Sequence, residues 1–174
     1  MLKIIQAENR DLKKVNRFYE NLIDKMKNSS YPPGWQKGVY PSEKFLADSV
    51  RKGELYMGML DHKTAACMVV NHSWNEGYEK AEWSVKAERC QVSAIHALGV
   101  DPDHGKKGLA KGMVRFVLEQ AGKAGQKTVR LDVLKENLPA VQLYTGLGFQ
   151  YCQTLKMYYE DTGWTEFELY EYIL

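Results

Sequence analysis

A glycine- and lysine-rich turn between a predicted strand and a predicted helix is the most informative chemical feature of the sequence. Residues 98–110 read LGVDPDHGKKGLA, in which Gly105 and Gly108 flank two lysines. Such a turn directs backbone N–H groups and the positive end of the helix dipole to one place. The spacing matches neither the phosphate loop GxxxxGK[ST] nor the dinucleotide fingerprint GxGxxG. The segment therefore predicts an anion site that binds a pyrophosphate in another way.

This turn resembles the coenzyme-binding loop of the GNAT superfamily of N-acetyltransferases. The family loop has Gln or Arg, two free residues, glycine, one free residue, then glycine or alanine, and it holds the pyrophosphate of coenzyme A. Gly108 and Ala110 match the last two positions, whereas Gly105 stands where the family has Gln or Arg. The resemblance therefore implies a reduced phosphate contact at Gly105.

The next predicted strand and helix extend the resemblance. In the family, an asparagine is followed by a helix that bears a tyrosine and ends in a Gly-Phe pair. In this chain, Asn137 and Tyr144 lie between the segment LDV at residues 131–133 and the segment GLGF at residues 146–149. The resemblance is strong over residues 91–151 and looser elsewhere. It implies a single N-acetyltransferase domain over residues 1–174 with the α+β GNAT fold. In that fold a central mixed, mostly antiparallel sheet carries a parallel βαβ coenzyme-binding unit and is flanked by helices.

The resemblance also implies an activity, which is transfer of the acetyl group of acetyl-CoA to a primary amine by direct attack in a ternary complex, without a metal. A main-chain N–H, that of Leu98, is expected to polarise the thioester oxygen. The residues implied to bind the coenzyme are Leu98, Gly99, Val100, Gly105, Lys106, Lys107, Gly108, Leu109, Ala110, Lys111, Asn137 and Tyr144.

Tyr144 and His96 are the candidate catalytic residues. Tyr144 matches the family tyrosine near the coenzyme sulfur, and a phenol with a reference pKa of about 10 is suited to protonate a thiolate. Some family members use a strand glutamate as the base; Ala94 stands at that position here, and His96 follows two residues later. An imidazole with a reference pKa of about 6.5 can deprotonate an ammonium through water. The alternatives are that Tyr144 only packs and that His96 is a hydrogen-bonded core residue.

Trp35 and Tyr40 are the candidate acceptor-binding residues, because related enzymes cover the acceptor in this region and aromatic faces attract cations. The alternative is that both fill the core beneath a long loop. Asn137 is expected to contact the coenzyme, to cap its helix, or both. The acceptor, a small molecule or a peptide, stays open because the same fold serves many amines. A second hypothesis, motivated by Gly105 and Ala94, is a non-catalytic module that senses acetyl-CoA.

The composition argues against several other classes of protein. The chain of 174 residues is 44% hydrophobic and 26% charged, which is typical of a globular protein. Its 24 basic and 22 acidic side chains give a net charge of +2, so we expect no nucleic-acid partner. The cysteines have no metal-ligand spacing and favour a reducing compartment. Neither a signal peptide nor a membrane span is predicted, and we expect a cytoplasmic protein without a membrane partner.

Hydrophobic periodicity predicts the elements that position these residues. Helices are expected from Leu12 to Met26, between a Ser42 cap and Gly53, and over residues 108–121 and 137–145. Strands are expected over residues 2–6, 54–60, 65–71, 91–100, 127–133, 150–159 and 164–173. The strand at 91–100 is apolar on both sides and therefore central. Its alternation assigns these residues to one face: Val92, Ala94, His96, Leu98 and Val100.

Two segments are open to more than one interpretation. Residues 72–89 have no clear pattern. The last strand carries Trp164, Phe167, Tyr170 and Tyr172, which would suit the face of a homodimer. A face covered within the chain is the simpler explanation for these aromatic residues.

Overall fold

The computed structural model describes residues 1–105 and 107–174, so Lys106, predicted to bind the coenzyme, lies outside the described residues. The strands are β1 (Lys3–Gln6), β2 (Leu55–Leu60), β3 (Lys63–Asn71), β4 (Val92–Val100), β5 (Thr128–Leu134), β6 (Gln150–Tyr159) and β7 (Gly163–Ile173). The helices are α1 (Leu12–Met26), α2 (Glu43–Arg51), α3 (Leu109–Lys123) and α4 (Leu138–Gly146). Within these ranges, none of the helices is long and apolar enough to cross a membrane.

Local capping chemistry sets the boundaries of the second helix. The Ser42 hydroxyl accepts a hydrogen bond from the Phe45 N–H at 3.1 Å and so begins α2. Gly53 follows α2 with φ of +72°, a left-handed conformation that glycine adopts without a steric cost. Both residues act as the sequence predicts.

The seven strands form one mixed sheet in the order β1-β2-β3-β4-β5-β7-β6. Neighbouring strands are antiparallel except β4 and β5, which run parallel and are joined through α3. A parallel pair requires such a crossover, because its strands begin at the same end of the sheet. The predicted α+β class, the mostly antiparallel sheet and the βαβ unit are confirmed.

The helices cover the sheet from two sides, named here the α3 face and the α1 face. On the α3 face, α3 and α4 pack over a core that includes Met68, Ile95, Met113, Leu131 and Tyr170. On the α1 face, α1 and α2 cover the first half of the sheet over Val15, Leu22, Met57 and Val69. Each face thus has its own core, and the sheet separates them.

Residues 72–91 cover the remaining part of the α1 face, although no element could be predicted for residues 72–89. Beneath them, Arg130 and Glu171 form an ion pair at 2.9 Å with side chains only 5% and 2% exposed. The Arg130 guanidinium lies 4.4 Å from the centre of the Trp83 ring. The Glu171 carboxylate accepts hydrogen bonds from the main-chain N–H groups of Ser84 and Val85. Because an unpaired buried charge is costly, this ion pair anchors the segment to the sheet.

A bulge interrupts β4 near its middle. In its pairing with β3, His96 lies opposite Val69 and Gly99 lies opposite Cys67, so two residues of β4 oppose one of β3. Ala97 has φ of +49°, a conformation that a residue with a side chain rarely adopts. The extra residue bends the strand and reverses its alternation.

The bulge contradicts the faces predicted for this strand. The prediction that Leu98 and Val100 share a face with Val92, Ala94 and His96 is wrong, because the alternation was assumed to run through Ala97 without a break. Leu98 and Val100 instead pack with Ile95 on the α3 face. By alternation from Ile95, His96 lies on the α1 face.

Strands β4 and β5 separate soon after they begin to pair. Pairing runs only from Val92–Thr128 to Ala94–Arg130, although both strands continue beyond these positions. The later residues of β4 therefore present main-chain groups to a gap in the sheet. The Tyr19 hydroxyl of α1 donates a hydrogen bond of 2.8 Å to the Ala97 carbonyl and so holds the bulged strand beside that gap.

The aromatic residues of β7 are used largely within the chain. Phe167 and Tyr170 are buried, and the Tyr172 ring lies 5.4 Å from that of Phe149. Trp164 is 66% exposed. The explanation that this face is covered within the chain is confirmed for Phe167 and Tyr170, and a homodimer stays a prediction.

We expect Tyr19→Phe to lower the free energy of unfolding by about 1–3 kcal/mol, because the Ala97 carbonyl would lose its donor in a buried position. Urea denaturation measures this change. Tyr158→Phe is the matched control, because its ring is 53% exposed, and it should change the free energy by less than about 0.5 kcal/mol. Equal losses in the two variants would contradict a structural role for the Tyr19 hydroxyl.

Candidate active site

A cavity of about 140 Å³ lies where β4 and β5 separate. Leu98, Val133 and Tyr144 line it from the α3 face, whereas Trp35 and Tyr40 line it from the α1 face. The cavity therefore passes through the gap between the strands. The predicted site residues that the structure brings together around it are Trp35, Tyr40, His96, Leu98, Asn137 and Tyr144.

Tyr144 reaches the cavity from α4 and is 7% exposed. Its ring packs edge-on against Phe149, with ring centroids 5.5 Å apart. Burial, and to a lesser extent the negative charge of Asp132, raises the pKa of Tyr144 above its ordinary value. The phenol is therefore protonated at neutral pH and can donate a proton. The side chain both packs in the core and faces the cavity.

His96 reaches the cavity from β4, and its hydrogen bonds define its tautomer. Its Nε2 lies 3.0 Å from Asn71 Oδ1 and 2.7 Å from the Ser73 carbonyl. Asn71 Oδ1 also accepts the Ser73 N–H at 2.9 Å, which orients the amide. Because both neighbours of Nε2 are acceptors, Nε2 carries the hydrogen and Nδ1 keeps its lone pair. Burial lowers the pKa of His96, against the opposing charge of Asp132. A neutral imidazole in this state can accept a proton.

Asp132 is a cavity residue that sequence reasoning missed. Its Oδ1 accepts a hydrogen bond from the Tyr78 hydroxyl and its Oδ2 accepts one of 3.1 Å from the Tyr159 hydroxyl. Burial raises the pKa of the carboxyl group, and these hydrogen bonds oppose that effect. The available signal was a lone carboxylate in an otherwise apolar stretch of strand, LDVL, since such residues are rarely buried without a partner.

The loop after α1 closes the α1 side of the cavity. The Trp35 ring packs edge-on against Tyr19 at 5.8 Å and against Tyr40 at 6.2 Å. The Gln36 side chain donates a hydrogen bond of 2.6 Å to the Asp161 carbonyl, which joins this loop to the turn between β6 and β7. Trp35 and Tyr40 therefore fill the core beneath the loop and also line the cavity, so the two interpretations of these residues are compatible.

The predicted anion-binding residues lie together at the start of α3. Gly108 precedes the helix with φ of +72°, and a Cβ built on it would have no atom within 4 Å. Leu109 is buried, Ala110 is half-buried, and Lys107 and Lys111 are exposed. The first N–H groups of a helix have no partner within it, so this open helix start suits a pyrophosphate.

Gly105, the departure from the family loop, ends a short turn before α3. Its N–H donates to the Pro102 carbonyl at 3.0 Å, and a Cβ would lie 3.1 Å from the same oxygen. Asp101 and Asp103 both accept hydrogen bonds from Lys25, at 2.7 and 2.6 Å. The turn is thus tied to α1, and a side chain at Gly105 would crowd it.

Of the three β4 residues predicted to bind the coenzyme, Leu98 lines the cavity. In the described part of the chain, Gly99 and Val100 do not. A Cβ on Gly99 would lie 2.4 Å from Leu22, so the glycine allows α1 to approach the strand. Val100 pairs with Ala66 of β3. Contacts from Gly99 and Val100 to a ligand in the gap are therefore limited to the main chain.

Asn137 caps α4 as predicted, because its Oδ1 accepts a hydrogen bond of 3.3 Å from the Ala140 N–H. It also lines the cavity. A contact with the coenzyme is compatible with the cap and stays a prediction.

Known proteins share both sequence and fold with this chain. The family model described as the acetyltransferase (GNAT) family matches residues 21–149. The ribosomal protein bS18 alanine N-acetyltransferase of Escherichia coli is 25% identical over 97 residues, which are 56% of this chain and 66% of that protein. The share of a curated relative's length that this chain matches runs from 20% to 66%.

Two solved structures share the fold. A GNAT family acetyltransferase of Streptococcus agalactiae has a TM-score of 0.83 at 17% identity, covering 99% of this chain and 95% of that chain. A Salmonella typhimurium acetyltransferase, solved with its cofactor acetyl-CoA, has a TM-score of 0.72 at 11% identity, covering 100% of this chain and 94% of that chain. At such identities the similarity shows the fold, and the predicted GNAT fold is confirmed.

We expect His96 to titrate below the ordinary imidazole value of 6.5, because burial disfavours its charged form. NMR titration of the imidazole nitrogens measures the midpoint and the tautomer, and His96→Gln assigns the signal. The expected neutral form is protonated at Nε2. A midpoint above that value, or a neutral form protonated at Nδ1, would contradict the geometry described above.

Proposed function

The chain belongs to the acetyltransferase (GNAT) family, and from this premise we propose that it transfers the acetyl group of acetyl-CoA to a primary amine in a ternary complex. One observation carries the proposal. The cavity passes through the sheet, with Tyr144 on its α3 side and His96 on its α1 side. Two substrates that enter from opposite faces therefore meet between a proton donor and a proton acceptor.

The residues of the α3 side fit the coenzyme, which supplies an activated acetyl thioester when bound. The helix start at Gly108 would hold the pyrophosphate, and the exposed Lys107 and Lys111 would add positive charge beside it. The main-chain groups of β4 that face the gap would hold the pantetheine arm, and the Leu98 N–H would donate to the thioester oxygen. The acetyl-CoA in the Salmonella relative, which has the same fold, supports this arrangement.

The proton transfers follow from the states of His96 and Tyr144. Acetyl transfer breaks the thioester C–S bond and forms an amide C–N bond; the ammonium loses two protons, and the sulfur gains one. The free Nδ1 of His96 accepts the first proton and passes it to solvent. The Tyr144 hydroxyl protonates the departing thiolate and recovers a proton from the acetylated nitrogen through water. The Leu98 N–H stabilises the charge that develops on the carbonyl oxygen.

A non-catalytic sensor of acetyl-CoA is the second candidate function. Gly105 favours it, because the turn lacks the side chain that the family uses at this position. The catalytic proposal is preferred because a binding module needs neither the buried phenol nor the neutral imidazole at the gap. Amine-dependent release of free coenzyme thiol from acetyl-CoA would exclude the sensor.

We expect Tyr144→Phe to lower kcat by about a hundredfold or more, the usual contribution of a general acid. The dissociation constant of acetyl-CoA should change little, because the aromatic ring and its packing on Phe149 are kept. Thiol release measures turnover, and calorimetry measures binding. Unchanged turnover would remove Tyr144 from the mechanism.

Gly108→Ala should weaken the binding of coenzyme A about tenfold or more, equivalent to about 1.4 kcal/mol, because a Cβ would occupy the open helix start. Gly125→Ala is the matched control. Gly125 lies just beyond the other end of α3 with φ of +68° and has the same open surroundings, so both variants carry the same backbone strain. Calorimetry with coenzyme A measures both. Equal effects on affinity would contradict the assignment of the phosphate site.

A further inference from the structure

The acceptor side of the cavity contains a buried carboxylate, that of Asp161, a half-buried one, that of Asp132, and aromatic walls. We infer that the amine acceptor is a small aliphatic diamine or polyamine, bound through Asp132 and Asp161. This inference rests on the proposed acetyl transfer and names the substrate class of the same site.

Asp132 has the hydrogen-bond pattern of a charged carboxylate, and no cationic side chain of the described residues forms an ion pair with it. Each carboxylate oxygen accepts a phenol hydrogen bond, one from Tyr78 and one from Tyr159, which is the pattern of an ionised carboxylate. Phenols stabilise this charge without neutralising it. Among the ion pairs within residues 1–105 and 107–174, none involves Asp132. A half-buried carboxylate that no cation balances favours the binding of a cation.

The register of the sheet brings Asp132 close to the proposed base. Ala94 of β4 pairs with Arg130 of β5, so His96 and Asp132 follow two positions later on their strands, where the gap begins. Both side chains line the cavity. An ammonium that binds to Asp132 is therefore held near the His96 imidazole, whose Nδ1 we propose takes its proton.

Asp161 provides a second carboxylate in the same cavity. It is only 8% exposed and lies in the turn between β6 and β7, which Gln36 fixes through the main-chain carbonyl. Burial raises the pKa of its carboxyl group. Tyr159, two residues earlier, donates to Asp132, and all three residues line the same cavity. Two carboxylates on separate elements, β5 and the turn between β6 and β7, offer separate sites for two cationic groups.

Aromatic rings form the surfaces between and opposite these carboxylates. The Tyr159 and Phe167 rings pack 4.9 Å apart on one side, and Trp35 and Tyr40 line the other. Aromatic faces accommodate the methylene groups of an alkyl chain and attract ammonium groups. Such walls do not offer hydrogen bonds along the length of a peptide backbone.

The charge of the lining distinguishes among amines. Within the described ranges no lysine or arginine lines the cavity, so no cationic side chain there would pair with the carboxylate of an amino acid. Asp161 would repel that carboxylate, and a monoamine would leave one aspartate unbalanced. A diamine satisfies both sites: one ammonium at Asp132 is deprotonated and acetylated, and the other remains charged at Asp161. The cavity of about 140 Å³ suits a short alkyl chain.

The test compares three acceptors of similar length, which are putrescine, butylamine and γ-aminobutyrate, together with a peptide that has a free N-terminus. With acetyl-CoA and the full-length protein, thiol release should give a kcat/KM for putrescine about tenfold or more above that for butylamine, with γ-aminobutyrate and the peptide lower still. If butylamine, γ-aminobutyrate or the peptide equals or exceeds putrescine, the inference is overturned while the proposed acetyl transfer stands.

A variant pair tests the assignment of the carboxylates. Asp161→Asn should lower the putrescine-to-butylamine ratio of kcat/KM about tenfold, because only the diamine uses the second charge. Glu160→Gln is the matched control, since it removes the same charge from the neighbouring, exposed residue and should leave the ratio unchanged. If Asp161→Asn also leaves the ratio unchanged, the role of Asp161 is overturned.

Calorimetry of putrescine with the coenzyme A complex separates the two proposals. Binding of putrescine that Asp132→Asn and Asp161→Asn weaken, without thiol release from any acceptor, would overturn acetyl transfer and keep the diamine site. Thiol release with another acceptor, without binding of putrescine, would overturn the diamine site and keep acetyl transfer. Absence of both would overturn both proposals.

Discussion

The early separation of β4 from β5 is the constraint on which the site depends, because main-chain groups that leave a ladder must find other partners. Pairing ends at Ala94–Arg130, and the bulge at Ala97 then bends β4 away. One carbonyl freed by the bulge is taken by Tyr19 of α1. The helices and loops on the two faces of the sheet enclose the gap between β4 and β5. The cavity is therefore a consequence of how the sheet pairs, and each loop around it only completes a wall.

Two charged residues of β5 show how the same strand serves both stability and function. Arg130 and Asp132 lie two positions apart and therefore on the same face. Arg130 is neutralised by Glu171 and covered by residues 72–91, so its charge stabilises the fold. Asp132 accepts hydrogen bonds from the hydroxyl groups of Tyr78 and Tyr159, and among the described residues it has no ion pair. Charges that a chain buries without balancing them are concentrated at functional sites, which is the reason to assign Asp132 to the acceptor.

The features that depend on neighbouring residues in sequence could be predicted, and those that depend on distant ones could not. The cap at Asn137, the helix after Gly108 and the βαβ unit follow from local periodicity and turn chemistry. The bulge at Ala97 arises from the register between β4 and β3. The alternation of residues along one strand gives no information about that register. Asp132 and Asp161 become a pair only when the β6–β7 hairpin folds against β5. The mixed, mostly antiparallel sheet was implied by family resemblance, and composition alone gives no such information.

The separation of the two faces by the sheet has an evolutionary consequence. The α3 face and the α1 face have distinct cores, and the cavity at the gap is lined from both of them. Substitutions in the loop around Trp35, in residues 72–91 or in the turn at Asp161 can therefore reshape one side without disturbing the helix start at Gly108. After a gene duplication, one copy can therefore acquire a new acceptor through substitutions on the α1 face alone. The residues proposed to bind the coenzyme would stay unchanged.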